Sequence, residues 1–242
     1  MEISGDILIK EGVRLRIKSG TKITVKPSEK DFVFFRDISG VRSEMTRTGL
    51  VDIIVEGGIQ ADGDDINIKA VPIGFWGGFM FVKNGEGFFK GVTVKNADTA
   101  FAGFDRSAIF LDNCSVENSR EGASSYGESV TDIKNCRFTG NEKAVWLTGG
   151  SVCSISLSVI SANTIGIDVS GGAVSAENNL ISKNSTGAKI TAGSAVFKGN
   201  SFLANTTAVK TRVAFLNINN KFFENETGIF EQLTKKQNRR AE

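Results

Sequence analysis

Trp146, Asp168, Lys189 and Lys210 fall in one slot of successive copies of a short repeat, and their chemistry suits a sugar. An indole face packs against the C–H face of a sugar ring, while a carboxylate and two ammonium groups hydrogen-bond at its rim, the lysines favouring an anionic glycan. The whole slot reads Met80, Ala102, Ser124, Trp146, Asp168, Lys189, Lys210 and Phe230. With Val145 and Leu147 facing inward, Trp146 is expected to stand in the open, unless the neighbouring stretch from Ser119 to Gly127 folds over it.

Other chemistry is sparse. The densest acidic cluster, Asp62-Gly63-Asp64-Asp65, offers oxygen ligands of the kind calcium takes, but it lacks the 12-residue pattern of a dedicated calcium loop and reads equally as a polar turn. The chain has 0 His, which removes Ser-His-Asp and Cys-His nucleophile systems and every His metal site. No Gly-rich phosphate loop opens a helix and no CxxC occurs, so no cofactor is implied. Glycoside hydrolysis needs two carboxylates about 5 to 9.5 Å apart, and no single outward row places two acids on adjacent repeats. A second outward row, Lys90, Asp112, Lys134, Ser156, Glu177 and Lys198, alternates in sign and reads as solvated support between strands.

Cys114 and Cys136 occupy equivalent slots, about 4.8 Å apart if the repeats stack, so either a disulfide or a stacked pair of buried thiols fits; Cys153 has no partner. Four Asn-x-Ser/Thr strings begin at Asn113, Asn184, Asn205 and Asn225. All four are expected to point inward, which would remove them as glycosylation acceptors.

These assignments depend on the repeat. An apolar anchor, two spacers, usually Asn, two spacers, Gly or Ala, and an apolar residue recur, as in Phe138 to Val145, Ile160 to Ile167 and Phe202 to Val209. Anchors fall at 94, 116, 138, 160, 181, 202 and 222, a period of 20 to 22 residues. The Asn slot holds Asn141, Asn163, Asn184, Asn205 and Asn225; in the two earlier copies Ala97 and Ser119 take it, with Asn96 and Asn118 one residue early. A fixed period this short marks a solenoid. Short apolar-polar alternations ending at Asn or Gly leave room for about three strands per period. The chain lacks the Leu-x-x-Leu-x-Leu string of a leucine-rich repeat. What remains is an all-β, right-handed parallel β-helix of about ten coils, with buried Asn ladders in its turns. The small residue at 100, 122, 144, 166, 187, 208 and 228 is expected to mark a bend too tight for a larger side chain.

On these repeats, on the opening Ile7 to Ile23 and on Phe75-Trp76-Gly-Gly78-Phe79, the chain resembles the right-handed β-helix proteins of the pectate-lyase-like superfamily, in particular surface proteins with Asn-x-x-x-Asn-x-x-Gly-Ile repeats. That resemblance implies an exported protein and spans lyases, hydrolases, epimerases and adhesins, so it speaks for the fold and not for one activity. The hydrolases' Gly-His-Gly string is absent. The lyases' Arg or Lys base with Asp-bound calcium has no motif here, so calcium enters only under a lyase reading.

One β-helix domain is expected over residues 1–242, with an insertion at about 27–49 and a cap or tail at 231–242. The insertion reads either as a wall for a groove or as a cover for an adjacent face. A net charge of +2 argues against a dedicated nucleic-acid binder, and no stretch of about 18 apolar residues suggests a membrane span. The start of the sequence fits either a cytoplasmic protein or an exported one whose leader is not included; the resemblance favours an extracellular, cell-surface or periplasmic site. The function expected is a non-catalytic scaffold or adhesin-like module presenting its outer face to polysaccharide or to a surface protein. The alternative is a lyase or epimerase acting on an acidic polysaccharide.

Overall fold

Every described segment with regular structure in the computed structural model is a β-strand, and the descriptions cover residues 1–26, 32–38, 41–47, 50–71 and 74–232. The strands wind into a right-handed parallel β-helix of about nine turns, against the ten expected. Each turn contributes to three ladders. The first runs from Ile7–Ile9 through Asp52–Val55, Gly78–Phe81, Thr99–Gly103, Glu121–Ser125 and Lys143–Leu147 to Thr227–Glu231. The second runs from Arg14–Ile17 through the first parts of Gly58–Ala70 and Glu86–Lys95, then Ala108–Asp112, Val130–Lys134 and Val152–Ser156, to Leu216–Ile218. The third carries the anchors.

Those anchors pair as the period predicts: Val94 with Val116, Val116 with Phe138, and onward through Ile160, Ile181 and Phe202 to Phe222. Because equivalent residues stack about one strand spacing apart, a single apolar choice per turn builds a continuous interior. The interior is aromatic between residues 76 and 101, where Phe79 lies on Phe101 at 5.5 Å between centroids and Phe89 meets both at 5.0 and 4.8 Å. Trp76 is buried there and donates from Nε1 to the Lys95 carbonyl at 3.1 Å.

The turn before the first ladder explains the Asn pattern. In each repeat the residue just ahead of the slot is left-handed: Asn96, Asn118, Gly140, Ala162, Lys183, Ala204 and Glu224, with φ from 52° to 72°. That bend aims the next residue inward. The Asn141 N–H and Nδ2 both donate to Asn163 Oδ1 at 2.9 and 3.0 Å, and the same double contact joins Asn163 to Asn184, Asn184 to Asn205 and Asn205 to Asn225. Ser119 continues the column, its N–H donating to Asn141 Oδ1 at 2.9 Å and its Oγ accepting from Ala97 N–H at 3.1 Å.

A second ladder, not foreseen as such, fills the turn between the second and third faces. Left-handed Asn113, Asn135, Leu157, Asn178 and Asn219 precede it. Its rungs are Cys114, Cys136, Ser158, Asn179, Asn200 and Asn220, each N–H donating to the next side chain at 2.8 to 3.4 Å.

At three positions the small-residue slot has a different cause from the bend expected. Gly122, Gly166 and Gly187 have no left-handed φ; a Cβ there would lie 2.4 to 2.6 Å from a carbonyl oxygen of the next turn. Stacked backbone, rather than local curvature, sets the limit at these three glycines.

Within the expected insertion, Phe32–Ile38 pairs antiparallel with Val41–Arg47. The rest of 27–49 lies outside the described residues, as does Leu233 to Glu242 of the expected cap. Among the described residues, no helix is long and apolar enough to cross a membrane.

Candidate functional site

The first candidate row has the register expected of it and a different surface. Met80, Ala102, Ser124, Trp146, Asp168, Lys189, Lys210 and Phe230 are paired one to the next. Trp146, however, does not stand in the open. It is half-buried, with Lys143 Nζ 3.6 Å from its ring centroid and the Tyr126 ring against it edge-on at 5.2 Å. Tyr126 comes from the Ser119 to Gly127 stretch, so that stretch covers the indole. Tyr126 stacks in turn on Phe104 at 4.7 Å, and Glu121 Oε2 accepts from Tyr126 OH at 3.1 Å and Ser124 Oγ at 2.7 Å. Asp168 is only 2% exposed and accepts from Ser170 Oγ at 2.9 Å and Lys189 Nζ at 3.4 Å. The row is therefore occupied by its own packing at its centre, and Lys189 is tied to Asp168.

Asp62, Asp64 and Asp65 are exposed and serve separate contacts. Asp65, left-handed at φ 58°, accepts from Asn67 Nδ2 at 2.7 Å and approaches Lys22 at 3.7 Å. The Asp64 carbonyl accepts from Gly20 N–H and Ser19 Oγ, and Asp62 faces Lys90 across the ladder. Among the described residues no group of three His, Cys, Asp or Glu is placed to hold a metal ion.

The three cysteines are free and buried. Cys114 N–H donates to Cys136 Sγ at 3.4 Å, and Cys136 Sγ–H reaches the Lys134 carbonyl at 3.1 Å. The contact with Cys114 and burial push the Cys136 thiol well above its ordinary range, and burial does the same to Cys153. Neither has the low thiolate pKa of a nucleophile. One sequon was misplaced by the sequence reading: Asn113 is exposed and left-handed, because Cys114 takes the inward slot. Asn184 and Asn205 are buried, and Asn225 is half-buried in the ladder, as expected.

The open site lies on the second face. A groove of about 460 Å³ runs along the helix axis between two outward rows. One wall is Gln60, Phe88, Phe110 and Asp132; the other is Asp62, Lys90, Asp112 and Lys134. Alternation along each strand makes them neighbours, since Phe88 and Lys90, Phe110 and Asp112, and Asp132 and Lys134 are two residues apart. Phe88 and Phe110 stack at 4.7 Å with 6° between planes, and Phe88 remains 37% exposed. Arg14 lies 5.9 Å from the Phe88 ring and pairs with Glu86 at 3.5 Å. The volume falls in the range of small-ligand clefts, about 300 to 1,000 Å³.

Sequence reasoning missed this groove because it treated rows singly. Row by row no two acids adjoin: Asp112 faces Lys134, and Asp132 faces Phe110 and Ser154. Diagonally they do, Asp112 on one strand and Asp132 on the next, a relation that spans about 7–8 Å. The signal was present as Phe88-x-Lys90 recurring as Phe110-x-Asp112 one period later.

Comparison with known proteins gives a family and little more. A family model described as the right handed beta helix region matches residues 57–207 and, overlapping, 101–238. No curated protein matches the chain. Among solved structures, the A-module of the Azotobacter vinelandii mannuronan C-5 epimerase aligns over 89% of this chain and 91% of its own, at 11% identity and a TM-score of 0.29.

Proposed function

This chain belongs to the right-handed beta helix family, and from that premise we propose that it is a non-catalytic, extracytoplasmic β-helix module that binds saccharide in the groove of the second face. The carrying observation is the stack of exposed Phe88 on half-buried Phe110, flanked by carboxylates and ammonium groups on successive turns. Aromatic carbon takes up the C–H surface of a sugar, and the flanking groups satisfy its hydroxyls. A rigid parallel ladder lines these groups up along one axis, which suits an extended chain better than a compact metabolite.

Asp112 and Asp132 in the same groove support a second reading, a polysaccharide lyase or epimerase. A glycan array probed with wild type, Phe88→Ala and Phe110→Ala, followed by product analysis on every glycan retained, tests both. Retention lost in the Phe variants with no product formed supports the module. Turnover that vanishes in Asp112→Asn or Asp132→Asn moves the protein to the second reading, and no retention of any glycan sinks both.

A further inference from the structure

The charges lining the groove carry the reading of this site one step further. Three cations, Arg14, Lys90 and Lys134, face three anions, Asp62, Asp112 and Asp132. Along one wall they alternate turn by turn, Asp62 against Lys90 against Asp112 against Lys134. Such a row has no net charge over its length, and neighbouring turns are about 4.8 Å apart.

The two lysines of this row are also left available. Further along the same row, outside the groove, Lys198 closes on Glu177 at 2.7 Å. Inside it, among the described residues, neither Lys90 nor Lys134 enters an ion pair, although each lies beside an aspartate on the adjacent strand. Asp112 accepts instead from Asn135 Nδ2 at 3.0 Å, and Asp132 from Ser154 Oγ. The same sequence pattern therefore makes a closed surface pair in one place and a set of spaced donors and acceptors in the other.

We infer that the groove takes an uncharged linear saccharide lying along the helix axis, rather than a polyanionic one; this rests on the saccharide-binding reading above. A sugar hydroxyl both donates and accepts, so each can meet an aspartate oxygen on one turn and a lysine ammonium on the next. A uronate chain would meet Asp62, Asp112 and Asp132 as often as Arg14, Lys90 and Lys134, so repulsion by the one set offsets attraction to the other and the groove offers a polyanion no net gain. Phe88 and Phe110 supply contact that is indifferent to charge.

The experiment is calorimetric titration of the full chain with β-1,4-linked hexamers of glucose, mannose and xylose, and with oligogalacturonate and oligoguluronate. Each is measured at about 0.01 M and 1 M ionic strength, where the screening length falls from about 30 to 3 Å. Wild type is compared with Phe110→Ala and Lys134→Gln, each checked for an unchanged melting curve. The expected result is binding of at least one neutral hexamer, changed less than about threefold by salt and weakened about tenfold or more by Phe110→Ala. Binding confined to the uronates, salt-sensitive and lost in Phe110→Ala, overturns the inference and leaves the saccharide-binding reading standing. Neutral binding untouched by Phe110→Ala overturns the inference too, and no binding by any oligosaccharide overturns both.

Discussion

Asn163 holds Asn184 twice, its backbone N–H and its Nδ2 both donating to Asn184 Oδ1 at 2.9 and 3.0 Å. Asn163 Nδ2 also reaches the Phe138 carbonyl at 3.2 Å, and its own Oδ1 receives both donors of Asn141. One side chain thus satisfies backbone groups on its own turn and the preceding one and joins them to the side chain of the next.

Asn163→Ala and Asn184→Ala should each lower stability by about 1–3 kcal/mol, because buried backbone partners are left unmet. Asn225→Ala, in the half-buried last rung, should cost clearly less. Urea unfolding of the three variants checks the order; equal losses would mean the ladder is not the source of the effect.

The two tryptophans should respond unequally. Trp76 is buried and its Nε1 bonds the Lys95 carbonyl, whereas Trp146 Nε1 is buried with no hydrogen-bond partner among the described residues. Trp76→Phe strands a carbonyl and should cost about 1–3 kcal/mol. Trp146→Phe removes an unmet donor and should cost well under half of that. Chemical denaturation of both variants decides it.

The fold was legible because a stacked solenoid repeats one environment every turn, so the anchors from Val94 to Phe222 and the ladder from Asn141 to Asn225 announce themselves by period alone. The second ladder was harder to see, since Cys114, Cys136, Ser158 and Asn179 share a slot by size and hydrogen-bonding capacity and not by residue type. Function was least legible. Whether Trp146 is open depends on where the Tyr126 and Lys143 side chains come to rest, and the groove depends on a diagonal between rows; neither is a periodic property of the sequence.

Asn113 offers a test of the left-handed turn. Of the four sequons, only it has its side chain outside a ladder, at an exposed position with φ 52°. Expressed through a eukaryotic secretory pathway, the folded, secreted protein should carry N-glycan at Asn113 alone. A glycosidase-sensitive mass shift that disappears in Asn113→Gln is the expected outcome. Glycan at Asn184 or Asn205 in folded protein would contradict their buried, bonded positions.

The buried thiols give a pH dependence of definite sign. Burial raises the folded pKa of Cys153, with the Asp132 carboxylate adding to it, while the same thiol in the unfolded chain ionises near pH 8.5. Below that pH both states hold the proton, and the stability contributed is complete. Above it only the unfolded chain gives the proton up, so stability declines as pH rises toward the folded value. Over the interval from pH 8.5 to 10 one such thiol accounts for about 2 kcal/mol. Cys153→Ala should remove that share of the decline while leaving other alkaline effects in place, so the informative quantity is the difference in unfolding free energy between variant and wild type at pH 7 and pH 10. A difference that is the same at both pH values would mean that Cys153 ionises as readily in the folded protein as in the unfolded one, and that the core around it admits water.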